Sequence, residues 1–191
     1  MCVKTAEQGC VLPARPSIPG NARYATARGG GLRRGNRGDF LADARVKSIL
    51  KEFFKIEQSC GMAAALDMLI MDDKAKKIWK DGSFLKWLKK NIPELYACRS
   101  CMETPPHHLN ESTYEHTVRV IYNTPKDLLL RRAAVFHDIG KPVVRTEKNN
   151  KAHFYGHEKK SSFMAKKIML KLGWNEKDAA EASRLIAAHM K

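Results

Sequence analysis

From Asp39 onward the apolar positions of the chain fall into a helical rhythm. Leu41, Val46, Ile49, Leu50, Phe53, Phe54 and Ile56 recur at the spacing of one helix face, with lysines between them. A second apolar series runs through Met62, Leu66, Leu69, Ile70 and Ile78. A third, short helix is predicted around Phe84, Leu85, Trp87 and Leu88, ending before Pro93, because a proline drives the residue ahead of it out of helical geometry. Stripes of this kind predict core rather than a ligand pocket.

Residues Arg99 to Leu109 contain Pro105-Pro106-His107-His108 and read as a loop. Ser112-Thr113-Tyr114-Glu115 then has the form of a capping box, in which a serine hydroxyl and a glutamate carboxylate satisfy the free amides of a helix start. It predicts a helix bearing His116, Val118, Val120 and Ile121. Pro125 suits the first turn of the next helix. That helix carries Leu128, Leu129, Leu130, Ala133, Ala134, Val135 and Phe136, apolar nearly all round, and is expected at the centre of the domain. Gly140 and Pro142 are expected to end it.

Between Val143 and Phe154 a polar stretch around Lys148-Asn149-Asn150-Lys151 predicts a turn with a short hairpin. Two helices follow, one from about His157 to Leu172 with Gly173 as its stop, the other from near Asn175 to Lys191. The expected fold is all-α, a helical bundle with at most a short β-hairpin.

Composition changes the picture at the N-terminus. Residues 1–38 hold Arg15, Arg23, Arg28, Arg33, Arg34 and Arg37 among glycines and three prolines, with Glu7 as the one acid. Such a segment cannot bury enough apolar surface to offset its ordering entropy, so a disordered basic N-terminus is expected. Three readings stay open for it: a nucleic-acid arm, an organellar leader, or a tail with no role of its own. The resulting division is 1–38 disordered, 39–104 a helical lead-in, and 105–191 the domain that carries the chemistry.

The formal charge of +15 implies attraction to polyanions such as RNA, DNA or nucleotides, or simply a lysine-rich solvated surface. Lys159, Lys160, Lys166, Lys167 and Lys171 form a stripe open to the same two readings. The five cysteines (Cys2, Cys10, Cys60, Cys98, Cys101) are odd in number and scattered, a poor disulfide framework that fits a reducing compartment. No apolar run approaches the ~20 residues that span a bilayer, and the first residues lack a secretory signal. The expectation is a soluble, cytoplasmic protein with no membrane partner.

Candidate chemistry centres on His137-Asp138, at the end of a helix too apolar for the surface. A buried carboxylate is costly unless it is paired or binds a metal. An adjacent imidazole and carboxylate can face one ion, or serve as a core histidine and a turn-capping aspartate. His116 lies one helix upstream, His157 opens the next helix and His189 closes the last. Histidines and an aspartate projecting inward from several helices match the way bundle cores assemble metal sites. Mixed imidazole and carboxylate donors suit several divalent metals. Cys98-x-x-Cys101 has the spacing of half a zinc site, but no second pair accompanies it. His107 and His108 are expected at the cleft rim rather than among the ligands.

His116, Phe136-His137-Asp138-Ile139-Gly140-Lys141-Pro142, His153-Phe154-Tyr155-Gly156-His157-Glu158 and Leu185-Ile186-Ala187-Ala188-His189 together resemble the HD domain of bacterial tRNA nucleotidyltransferases and related poly(A) polymerases. The lead-in from Pro105 to Thr117 is similar to the same family. The resemblance implies an all-helical HD-domain bundle and metal-dependent phosphohydrolase chemistry on phosphomonoesters or cyclic phosphodiesters of nucleotides or RNA ends. It implies metal ligation by His116, His137 and Asp138, with His157 and His189 as further ligands. One or two divalent ions per chain (Mn, Ni, Co, Fe, Zn or Mg) are implied. Asp138 is expected to be catalytic. Lys141 is expected to be catalytic and to contact a phosphate oxygen, or else to balance a helix C-terminus. His153 is expected near substrate, which would be a nucleotide or an RNA 3′ end.

Two departures from the family pattern bear on this. A last aspartate ligand from a later helix is not found, since Asp178 lies a few turns before His189. No nucleotidyltransferase head with paired aspartates precedes the domain, so nucleotide addition is not expected. The rival reading is a non-catalytic nucleic-acid-binding HD module, or a truncated fragment of a tRNA nucleotidyltransferase-like protein.

Overall fold

The structure is a computed structural model that describes residues 37–103, 111–148 and 151–190. The expected disorder of residues 1–38 lies outside it for 1–36, while Arg37 and Gly38 open a helix instead; Pro105 to His108 and the Asn149-Asn150 turn also lie outside. Nine α-helices occur among the described residues: α1 (Arg37–Cys60), α2 (Met62–Met71), α3 (Gly82–Asn91), α4 (Pro93–Ala97), α5 (Thr113–Asn123), α6 (Leu128–Phe136), α7 (Lys141–Val144), α8 (His157–Leu172) and α9 (Glu176–Ala188). Tight 3₁₀ turns cover Asp73–Lys80 and Cys98–Ser100. A two-stranded antiparallel hairpin, β1 (Thr146–Lys148) and β2 (Lys151–His153), pairs Thr146 with His153. The fold is all-α with this short hairpin, as the patterning predicts, and no described helix is long and apolar enough to cross a membrane.

Local chemistry sets the helix ends. Gly61, at a φ of 91°, lets the chain turn between α1 and α2. The carboxylate of Asp72 accepts from the Lys74 amide (3.1 Å), so the second apolar series breaks there and Ile78 arrives on a 3₁₀ turn. Asp81 caps α3 through the amides of Ser83 and Phe84. The capping box of α5 is present in full: Ser112 Oγ accepts from the Glu115 amide, and Glu115 accepts from the Ser112 amide. Gly173, at φ 104°, ends α8.

Three expectations need correction. Pro125 is not in the first turn of α6: Asp127 caps that helix on the Leu130 amide (2.9 Å), and Pro125 sits in the preceding turn. Pro142 does not end α6, which stops at Phe136; it opens α7 instead, where its missing amide hydrogen is not needed. The last helix stops at Ala188, with His189 at its cap.

Lead-in and later helices share one core, from Ile49 and Phe53 through Trp79 and Leu88 to Phe136, Met169 and Ile186. Phe53 packs edge-on against Phe84 (ring centroids 5.4 Å) and Trp87 (4.9 Å). The polar atoms of its buried aromatic rings are satisfied. Trp79 Nε1 donates to the Tyr122 hydroxyl (2.9 Å), and the Tyr114 hydroxyl donates to the Trp79 carbonyl (2.7 Å). Burial pushes both phenols above their ordinary pKa.

Nor is α6 apolar all round, because Arg131 and Arg132 are buried in it. Arg131 Nη1 donates to the Ile70 carbonyl and to Asp73, both at 2.7 Å. Arg132 grips Asp67 of α2 through Nε (2.8 Å) and Nη2 (2.6 Å), and Asp178 of α9 through Nη1 (2.6 Å). These pairs fix α6 between α2 and α9, and so fix the place where its C-terminus delivers His137 and Asp138.

Candidate metal centre

Asp138 lies in the turn after α6, 2% exposed, and four imidazoles converge on it. Its Oδ2 faces His137 Nε2 at 3.0 Å and His116 Nε2, from α5, at 3.5 Å. Its Oδ1 faces His157 Nε2, from the start of α8, at 3.2 Å and His189 Nε2, from the end of α9, at 3.6 Å. His157 and His189 also face each other, Nε2 to Nε2, at 3.3 Å. Two groups of donors that could hold an ion result, His116–His137–Asp138 and Asp138–His157–His189, with Asp138 in both.

The far side of each ring decides what the near side can be. His137 Nδ1 donates to the Ala134 carbonyl (2.8 Å), His157 Nδ1 to Phe154 (2.8 Å) and His189 Nδ1 to Ile186 (2.6 Å). A carbonyl can only accept, so in each neutral ring the proton is on Nδ1 and the lone pair is on Nε2, toward the cluster. Three lone pairs then meet a carboxylate, and two of them meet each other. Such contacts are repulsive without a cation between them, either a proton or a metal. Asp138 Oδ1 is buried without a hydrogen bond of good alignment. With metal–ligand bonds of ~2.1 Å, donors on one ion stand about 3.0 Å apart at right angles and about 3.4 Å apart in a tetrahedron. The observed separations bracket these values, so the residues present fit a divalent metal.

When protons rather than a metal lie between these groups, the rings donate to Asp138: burial raises its pKa, but hydrogen bonds from His137, His157 and His189 outweigh it and hold the carboxyl far below the usual range. His116 is pulled below its ordinary value by burial, against the attraction of Asp138. His189 also feels burial, but its bonds to Asp138 and to the Ile186 carbonyl lift it above the ordinary value.

Two carboxylates that sequence patterns did not single out complete the surroundings. Glu103, fully buried, accepts from Lys141 Nζ at 2.7 Å, and the same ammonium lies 2.9 Å from Asp138 Oδ2. Lys141 opens α7 rather than ending a helix, and it is enclosed between two carboxylates. Glu111 lies 3.3 Å from His116 Nδ1 and is held by Arg119. That bond, against the effect of burial, keeps the Glu111 carboxyl below its ordinary pKa. No motif spacing flags either residue, because both reach the site from the chain that precedes α5.

Gly140 follows the His-Asp pair where only a hydrogen fits. Its amide donates to Ser161 Oγ (2.9 Å), and a Cβ there would meet the Ser161 amide nitrogen at 2.7 Å. The remaining sequence candidates lie elsewhere. His153, in β2, stacks on the exposed Tyr155 ring (5.4 Å) and is not in the cluster. Cys98 and Cys101 are buried free thiols, raised in pKa chiefly by burial, and neither belongs to a metal-holding group among the described residues. Asp178 is engaged by Arg132. His107 and His108 are outside the described residues.

A helical bundle whose inner ends present histidines around one aspartate could hold a metal, and residues 113–191 match the model of the HD domain. The match supports an HD domain in this part of the chain. Among curated proteins it is similar to the A-adding tRNA nucleotidyltransferase of Deinococcus radiodurans, 30% identical over 110 residues, which are 54% of this chain and 25% of that protein. The match thus spans about a quarter of the relative's length. No solved structure matches the chain.

Proposed function

We propose that this protein is a metal-dependent phosphohydrolase acting on phosphomonoesters or cyclic phosphodiesters of nucleotides or RNA ends. The observation that carries the reading is the set of Nε2 lone pairs turned toward the buried Asp138 carboxylate, with their Nδ1 protons tied to backbone carbonyls. His116, His137, Asp138, His157 and His189 would hold the metal. A bound divalent ion supplies a water acidic enough to attack at neutral pH and offsets the charge of a phosphate ester.

The protein groups divide the remaining work. The carbonyls of Ala134, Phe154 and Ile186 hold three rings in the ligating tautomer. Glu111 orients His116 from its Nδ1 side. Lys141, bonded to both Glu103 and Asp138, acts as a positioning residue that sets the angle of the Asp138 carboxylate. His153 and Tyr155, stacked and partly open to solvent, form a platform at which a substrate base can rest.

The test is metal content by mass spectrometry on protein purified without chelator or histidine tag, beside Asp138→Ala, followed by a phosphatase screen. One or two transition-metal ions per chain, absent in the variant together with turnover, are expected. Full turnover in Asp138→Ala at wild-type metal content would end the proposal. The charge of +15 favours a second reading, a nucleic-acid-binding HD module without catalysis. It predicts a site that stays empty after soaking in Mn, Ni and Co, and RNA binding indifferent to chelator.

A further inference from the structure

Beside Glu111 and Arg119, which contact His116 Nδ1, the structure holds a cavity of about 670 Å³. Lys76 and Lys80 of the 3₁₀ turn after α2, Arg99 after α4 and Arg119 of α5 line it. Lys76, Lys80 and Arg99 have no carboxylate partner among the described residues. The two acids on the wall are already engaged: Glu111 by Arg119 and His116, and Glu115 by the Ser112 cap. Its four cations outnumber these two acids, so the wall carries a net positive charge. Its apolar lining includes Trp79, Tyr114, Val118, Leu85 and Met102, the last 43% exposed despite its size.

Three unpaired cations on two separate elements suit several phosphates in succession better than a single one. A thioether and a leucine beside them offer the apolar contact that the face of an unpaired base requires. Glu111 and Arg119 both line this cavity and touch His116 Nδ1, at 3.3 and 2.9 Å, while His116 Nε2 points at Asp138. The Glu111–Arg119 pair and His116 behind it thus lie between the cavity and the proposed metal centre.

We infer that this cavity is the seat of a single-stranded RNA segment, several nucleotides long, whose end is presented to the His–Asp cluster. The inference deepens the proposed function and rests on it for the identity of the substrate: a polynucleotide end rather than a free nucleotide. The strand's phosphates pair with Lys76, Lys80 and Arg99, and a base lies against Met102 and Leu85.

Fluorescence polarisation of a labelled single-stranded oligoadenylate eight residues long, titrated with the full chain in chelator, tests binding apart from catalysis. Each lost phosphate contact removes about 0.7 from the logarithmic salt slope of a single strand, so Lys76→Gln with Lys80→Gln should flatten it by about 1.4. At 0.1 M salt that corresponds to roughly 25-fold weaker binding. The pair Lys51→Gln with Lys55→Gln, exposed on α1 and outside the cavity, removes the same charge and should change binding little. A 4-thiouridine oligonucleotide should photo-crosslink to the peptide containing Met102.

Equal losses in the two double variants would mean that binding follows net charge, and would overturn the inference. Displacement of the oligonucleotide by AMP at comparable concentration would overturn it in favour of a mononucleotide site. Either result can stand beside a filled metal centre and an active enzyme, whereas an empty centre with intact cavity binding would refute only the proposed function.

Discussion

Two ring clusters in this molecule have nearly the same spacing and opposite chemistry. In the lead-in, Phe53, Phe84 and Trp87 meet with centroids 4.9–5.6 Å apart. Around Asp138, His116–His137, His137–His189 and His157–His189 stand 5.2–5.4 Å apart. The first cluster is complete: its rings need only each other and the removal of water. The second has lone pairs and a carboxylate pointing at one another, and it becomes favourable only when a cation enters. Close packing by itself therefore does not distinguish a core that stabilises the fold from a cluster that the fold must hold in place.

The largest expected effect falls on the complete cluster. Phe53→Ala should cost ~3–5 kcal/mol in urea unfolding, because it removes a fully buried ring and leaves a cavity. An equal loss from truncating His189, which is partly exposed, would erase the contrast. Next, adding Mn²⁺ at about 100 times its dissociation constant should raise the stability of the wild type by ~2.7 kcal/mol and that of Asp138→Ala by nothing, read from melting temperature. Gly140→Ala should lose ~1–3 kcal/mol, because its methyl would press on the Ser161 backbone and displace the turn that carries Asp138. Its metal affinity should fall with its stability.

The smallest effect belongs to an ion pair outside both clusters. The Arg131 bond, with burial opposing it, holds the Asp73 carboxyl below its ordinary pKa. That contribution is present above about pH 4, the usual aspartate value, and disappears as pH falls through the depressed native one. Asp73 is largely exposed, so Asp73→Asn should lower stability by under ~1 kcal/mol at pH 7. Variant and wild type should converge in acid.

Much of this contrast was legible in the residue order. Helical spacing located Phe53 and Phe84, the capping box located the start of α5, and Gly173 the end of α8. The five donors His116, His137, Asp138, His157 and His189 converge as their motifs implied. What patterning could not show came from long-range pairing. Glu103 and Lys141 are 38 residues apart, and neither has a periodicity that reports the other. Arg131 and Arg132 interrupt an apolar helix, yet they are buried because their partners, Asp67, Asp73, Asp178 and the Ile70 carbonyl, arrive from other elements. α6 starts later and ends earlier than its pattern predicts because Asp127 caps it more effectively than Pro125 could begin it, and because Pro142 suits a helix start.

The grip of Arg132 on Asp67 and Asp178 has a consequence for the order of events in folding. Its two partners stand 65 and 46 residues away in opposite directions along the chain. Contacts so distant form only after long loops have closed. Since α6 leads into His137 and Asp138, and α9 into His189, these donors come together only when α9 has docked on α6. Capacity to take up metal should therefore lag behind helix formation during refolding, so that the ion records the last step of assembly rather than guiding the first.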